Sequence, residues 1–207
     1  MIKVYAAAAA AAVAALLAGT WWMTLGRSSD DAFSACRNSA IAGGAGSIGG
    51  PFTLVDGTGQ TVTDADVFTK PSLVYFGYTF CPDVCPLDNV RNAEAIDLLD
   101  GMGYDAQPVF ISIDPERDTP EVVEEFAGYM HEKMIGLTGS LDQVTAASKA
   151  YRTYFRKQDS DDPDYYLVDH STFTYLVLPG TGFVEFFKRG DTAPDIARRT
   201  ACFVEAS

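Results

Sequence analysis

Apolar residues along this chain fall into runs of two lengths. The first, VYAAAAAAAVAALLAGTWWMTL, covers 4–25 without a charge. As a helix it would reach about 33 Å, enough for the roughly 30 Å core of a bilayer. Lys3 precedes it, and Trp21 and Trp22 sit near its far end, where interfacial aromatics gather. The run is longer than the apolar part of a cleaved signal peptide, and no small-x-small cleavage site follows, so the pattern predicts a signal-anchor helix over 1–26. Lys3 held inside would put the remainder outside the inner (cytoplasmic) membrane, in the periplasm. Residues 27–50, rich in Gly, Ser and Ala and without an apolar period, predict a flexible linker.

The later runs are short. PFTLVDGTGQTV has two of them around Asp56-Gly57-Thr58-Gly59, a hairpin signal. SLVYFGY, 72–78, and PVFISID, 108–114, are unbroken, β-branched and aromatic, as buried strands are. Pro86 suits the first turn of a helix that would run to about Gly101, with Cys85 near its N-cap. Thr119 and Pro120 open a second helix, PEVVEEFAGYMHEK, with His131 as a solvated residue at its polar end. A short strand over 135–138 follows. Ser140 and Gln143 then form a capping-box pattern before LDQVTAASKAYRTYF. After the acidic loop QDSDDPD, strands over 171–178 and 182–188 flank Pro179-Gly180-Thr181, and 192–205 reads as a closing helix. Strands separated by helices predict an α/β sandwich over 51–207. A strand, a cysteine loop and a helix, followed by a hairpin and helix, is the thioredoxin arrangement, here with an N-terminal β-hairpin extension.

The net charge of −13 lies almost wholly after residue 27 and excludes nucleic acid as an expected partner, because phosphate binding needs a basic surface. An exported domain meets an oxidising compartment where disulfides persist. Cys36 and Cys202, at opposite ends of the exported part, are either a structural disulfide or incidental, and the even cysteine count favours the staple.

Cys81 and Cys85, in GYTFCPDVCP, follow a strand end and precede a helix start, where the positive helix terminus stabilises a thiolate. Plain core is the alternative, and a Pro-rich loop carrying Asp83 fits it poorly. Redox pairs usually have two intervening residues, whereas this pair has three. Two thiolates suit copper, zinc or an iron–sulfur cluster. A cluster wants four cysteines and structural zinc four protein ligands. The chain has two histidines, His131 and His170. His170, in YYLVDHSTFTYLVL, sits just before an expected strand, where a thioredoxin-like sheet would bring it beside the cysteine loop. Two thiolates and one imidazole fit copper best. Asp169 could orient neighbouring groups. In ISIDPERDTPE, the group Asp114, Glu116, Arg117 and Asp118 is equally a capped turn or a surface supporting the site.

FGYTFCPDVCP, SIDPERDTPE and LVDHSTFTYLV, with the opening PFTLVDGTGQTVTDADV, together resemble the Sco/SenC family of copper-binding thioredoxin-like proteins over about 51–205. The resemblance implies copper ligation by Cys81, Cys85 and His170, and a membrane anchor. It also implies a part in assembling the binuclear copper (CuA) centre in subunit II of cytochrome c oxidase, with a copper-donor chaperone upstream. The family pattern is silent on Cys36 and Cys202. Two other functions stay open: a thiol-disulfide reductase that keeps the oxidase cysteines reduced, and a copper or redox sensor. TFCP also resembles peroxiredoxins, which makes a peroxidase a more distant reading.

Overall fold

The unbroken apolar runs become the centre of a sheet. The computed structural model describes residues 2–25, 32–39, 45–162 and 165–207, in two units, Met1–Ala35 and Cys36–Ser207. In the second unit, β1 (Thr53–Asp56), β2 (Thr61–Thr63), β3 (Ser72–Gly77), β4 (Gln107–Ser112), β5 (Ile135–Thr138), β8 (Thr174–Leu178) and β9 (Gly182–Phe187) form one sheet in the order β2-β1-β5-β4-β3-β8-β9. β3 runs parallel to β4 and β4 to β5; the remaining pairs are antiparallel. Every residue of β3 and β4 is buried, which is why neither alternates in polarity. The expected hairpin over 51–62 is β1–β2, added to the sheet through β5.

Helices follow their start signals. Thr119 Oγ1 accepts the N–H of Val122 at the head of α4 (Pro120–Met130), and Ser140 and Gln143 close a capping box on α5 (Leu141–Ala150). Thr192 caps α6 (Ala193–Glu205) by accepting the N–H of Asp195. A short α2 (Asp64–Val67) follows β2, and α3 (Val84–Gly101) packs against α6. Val74, Phe76, Phe110, Ile111, Val123, Leu137 and Tyr151 lie in the core.

Three expectations change. The helix expected through Phe155 stops at Ala150, because Arg152 takes a left-handed backbone (φ 52°) that no helix can continue. Phe155–Lys157 instead becomes β6, paired antiparallel with β7 (Val168–His170) in a separate two-stranded sheet. The domain also begins before residue 51. From Cys36 on, the described part of the expected linker belongs to the second unit: Gly49 N–H bonds the carbonyl of Ala150, and Ile48 packs on the core. Residues 27–31 and 40–44 of that linker, and residues 1 and 26 of the expected anchor, lie outside the described residues.

The first unit contains α1 (Ile2–Leu25). Among the described residues no helix is long and apolar enough to cross a membrane.

Candidate metal centre

The site is built from the C-terminal end of β3, the loop after it and the end of β7. Gly77 closes β3 with no side chain, and a Cβ there would sit 2.9 Å from the Cys85 sulfur. Glycine is what lets that sulfur lie on the strand. Thr79 and Phe80 lead to Cys81, whose N–H bonds the Tyr78 carbonyl at 3.2 Å. The helix then begins two residues earlier than expected. Its N-cap is Asp83, and Cys85 stands inside the first turn. There the Cys85 backbone N–H has no partner within the helix, and it donates to the Cys81 sulfur at 3.4 Å. Pro86 lacks such a donor and is tolerated in the same turn.

His170 arrives from the other side. Its Nε2 is 3.3 Å from the Cys85 sulfur. Its Nδ1 is 2.8 Å from the Ser171 carbonyl, which can only accept, so Nδ1 carries a proton and Nε2 is the ring nitrogen that faces the sulfurs. The rings of Tyr75 and Tyr78 meet the imidazole edge-on at 6.1 and 5.9 Å. Cys85 is fully buried, Cys81 is 8% exposed and both are free thiols. The two sulfurs and one imidazole nitrogen lie within 4.8 Å of one another.

The two sulfurs are not equivalent. Cys81 is pulled down from the ordinary thiol value to about 3. The Cys85 thiol bonded to its sulfur is the main cause; His170 and the backbone N–H groups of Asp83 and Cys85 add to it, and burial opposes it. The same shared proton, together with burial, pushes Cys85 up. In the reduced pair, then, Cys81 is the thiolate and Cys85 the thiol. Beneath them the Tyr75 hydroxyl donates to the buried Asp88 at 3.0 Å, and burial, with Cys85 and Asp88 nearby, raises the Tyr75 pKa.

The remaining candidates sit apart from this cluster. Asp169, next to His170 on a strand, points to the opposite face. It accepts from Gln158 Nε2 at 2.6 Å and pairs with Arg156 at 3.6 Å. Asp114 accepts from the Tyr166 hydroxyl at 2.5 Å and from Arg117 Nε at 2.6 Å. Cys36 and Cys202 are joined in a disulfide with Cα atoms 5.7 Å apart, away from the metal-binding cluster. His131 is not the solvated residue expected: its side chain is 9% exposed, its Nε2 lies 3.2 Å from Asp97, and its Nδ1 accepts the Lys133 N–H. The sequence reading missed Gly77 and left Asp118 between a capped turn and a surface supporting the site. The Asp118 carboxylate holds the cysteine loop by accepting the Thr79 N–H at 3.1 Å and its hydroxyl at 2.6 Å. The FGY and ERD patterns were the available signals.

A model of the SCO1/SenC family matches residues 42–205. The chain belongs to the SCO1/SenC family. It is 54% identical over 184 residues to the protein SenC of Rhodobacter capsulatus, covering 89% of this chain and 82% of that one. It is 45% identical over 145 residues to the mitochondrial SCO1 homolog 1 of Arabidopsis thaliana, covering 70% of this chain but 43% of that longer protein. Among solved structures, Arabidopsis thaliana ScoI with copper bound superposes with a TM-score of 0.72 at 40% identity, over 76% of this chain and 99% of that one. The family has a thioredoxin-like fold, which the strand-loop-helix arrangement here shares.

Two buried soft sulfurs and one half-buried imidazole, without a carboxylate in the set, suit a thiophilic cation. The pair can equally exchange with a disulfide, because Cys81 is the thiolate and the less deeply buried of the two.

Proposed function

We propose that this protein is a copper metallochaperone that delivers copper to the binuclear centre of cytochrome c oxidase. The convergence of Cys81, Cys85 and His170 within 4.8 Å carries the reading. Relatives whose solved structures hold copper support it. Copper is the cargo. Cys81, already the thiolate, takes it first; Cys85 gives up its proton on binding, and Nε2 of His170 completes a three-donor set. Three ligands leave a position open for an incoming donor, so the ion leaves by exchange onto the oxidase subunit II copper domain and arrives from a donor chaperone in the same way. Phe80, Leu87, Leu167 and Phe173, each within three residues of a ligand, are exposed large apolar side chains that a docked partner would cover. The helix over 1–26 would tether the domain to the inner membrane, with the copper site on the periplasmic side; the uncharged run 4–25 supports that placement.

The test is an anaerobic copper titration of the reduced protein against a competing chelator, for wild type and His170→Ala. One equivalent bound, with a loss of about tenfold or more in the variant, is expected. Binding indifferent to His170 would replace this reading with thiol-disulfide reduction. The thiolate-and-thiol asymmetry of Cys81 and Cys85 is what that second reading has in its favour.

A further inference from the structure

His170 is not carried by the main sheet. It ends β7, which among the described residues pairs only with β6, and an isolated two-stranded hairpin is marginal in water. Something else must fix the imidazole against the cysteine loop. The turn between β4 and α4 supplies two grips, one on each arm of the site. Asp118 holds the cysteine arm through Thr79, and Ser112 Oγ donates to the same carboxylate at 2.5 Å. Asp114 and Arg117 hold the histidine arm. The Tyr166 hydroxyl donates to Asp114, and the Arg117 guanidinium lies 3.6 Å from the Tyr166 ring centroid.

The same guanidinium reaches the cysteine arm. Its central carbon is 4.9 Å from the Phe80 ring and 5.7 Å from the Tyr78 ring. Tyr78 in turn touches His170 edge-on, and its hydroxyl accepts the N–H of Val168 at 3.4 Å. One planar cation therefore touches aromatic rings from both arms while its Nε is held by a buried carboxylate. Arginine suits this place because its flat, delocalised charge stacks on rings and still donates in its own plane. Lys157, bonded to Glu116 at 2.6 Å and 3.7 Å from the Tyr166 ring, closes the far side of the hairpin.

We propose that Arg117, paired with Asp114, is the positioning residue that locks the His170 arm against the cysteine loop. The proposal rests on the copper reading above and deepens it. Arg117 touches neither cargo nor ligand sulfur; it acts through Tyr166 and Tyr78. Without it, β6–β7 loses its grip on the turn between β4 and α4, the imidazole leaves the donor set and two sulfurs remain.

Asp114→Asn/Arg117→Met removes the pair without leaving a buried charge alone. Two measurements on the full chain test it. The first is amide exchange of the apo protein: 155–170 should exchange about tenfold faster in the variant, while β3, β4 and α6 stay protected. The second is the copper titration in four proteins, each background with and without His170→Ala. That substitution should cost about tenfold or more in wild type and about twofold or less in the double variant. If the double variant does not fold, Tyr166→Leu, which keeps the ion pair and removes the ring, is read in the same way. An equal cost of His170→Ala in both backgrounds overturns the proposal, as does unchanged exchange over 155–170. A wild type indifferent to His170→Ala overturns the copper reading instead, and exchange alone then judges the clamp.

Discussion

Cys36 and Cys202 stand 166 positions apart in the chain and are bonded; Cys81 and Cys85 have three residues between them and are not. The first pair ties the stretch that opens the domain to α6, beside β9. Asn38 N–H bonds Glu185 there at 3.1 Å, Arg37 Nε bonds the Val184 carbonyl at 3.3 Å, and Glu185 is in turn paired with Arg199 at 2.8 Å. These contacts fix the opening stretch to β9 and α6. The second pair has a helix N-terminus, a backbone N–H on one sulfur and an imidazole on the other. The same element therefore makes a staple in one place and a reactive cluster in the other. What surrounds the sulfurs decides which, and closeness along the chain does not.

The comparison can be broken most strongly at the staple. Cys36→Ser/Cys202→Ser should lower unfolding stability by about 2–5 kcal/mol, since the bond closes a very long loop, and should leave copper stoichiometry unchanged. Denaturant unfolding under non-reducing conditions measures the first and titration the second. A loss of copper binding with the fold intact would mean the two pairs are not independent.

Gly77→Ala is next. A Cβ 2.9 Å from the Cys85 sulfur, and as close to Tyr75, must move one of them. We expect a loss of about 1–3 kcal/mol and weakened copper binding, measured on the same preparations. No change in either would show that the strand end has slack.

Alkylation of the apo protein sharpens the chemical side. Cys81, held down to about 3, is thiolate across the whole neutral range. Its modification rate by iodoacetamide should therefore be nearly flat from about pH 5 to about pH 8, whereas an unfolded thiol speeds up about tenfold per unit. Cys85 should stay unmodified until the chain unfolds. The stability linkage follows in sign. Between the folded and unfolded values of Cys81 only the unfolded chain holds that proton, so this group's contribution grows as pH rises and is lost as pH falls towards about 3. Cys85, raised in the fold, contributes below its unfolded value and loses that contribution above it. Mass spectrometry of the labelled peptides reads the rates, and a Cys81 rate that climbs with pH would overturn the assignment.

The smallest effect is expected at Asp169. Its side chain is 43% exposed and its ion pair with Arg156 is equally open, so Asp169→Asn should shift stability by less than about 1 kcal/mol. Copper affinity should stay within about twofold, because the carboxylate lies on the face of β7 away from the sulfurs. A larger change in the chelator titration would bring Asp169 into the site.

Much of this could be read along the chain. β3, β4 and β8 are largely apolar runs, β9 is one broken by Glu185, and α4, α5 and α6 start at the caps their first residues spell out. Two thiols at a strand-to-helix junction and one histidine before the last hairpin gave the donor set. β6 and β7 could not be read, because FRK and VDH are three residues each, mostly not buried, and pair only with one another. His131 looked solvated because its one acidic partner, Asp97, comes from a distant helix.

The sequence by itself determined the local chemistry: which residues can donate soft electrons, where helices begin, and which apolar runs become buried strands. Only the tertiary structure decided which sulfur is the thiolate, that the distant cysteines meet, and that Asp114, Arg117 and Asp118 grip the two arms of one site. The physical reason is range. Caps and periodicity act over a few neighbouring residues, whereas the distance between a cysteine loop and a histidine 85 positions later is set by packing across the sheet and by a buried ion pair that no local pattern encodes.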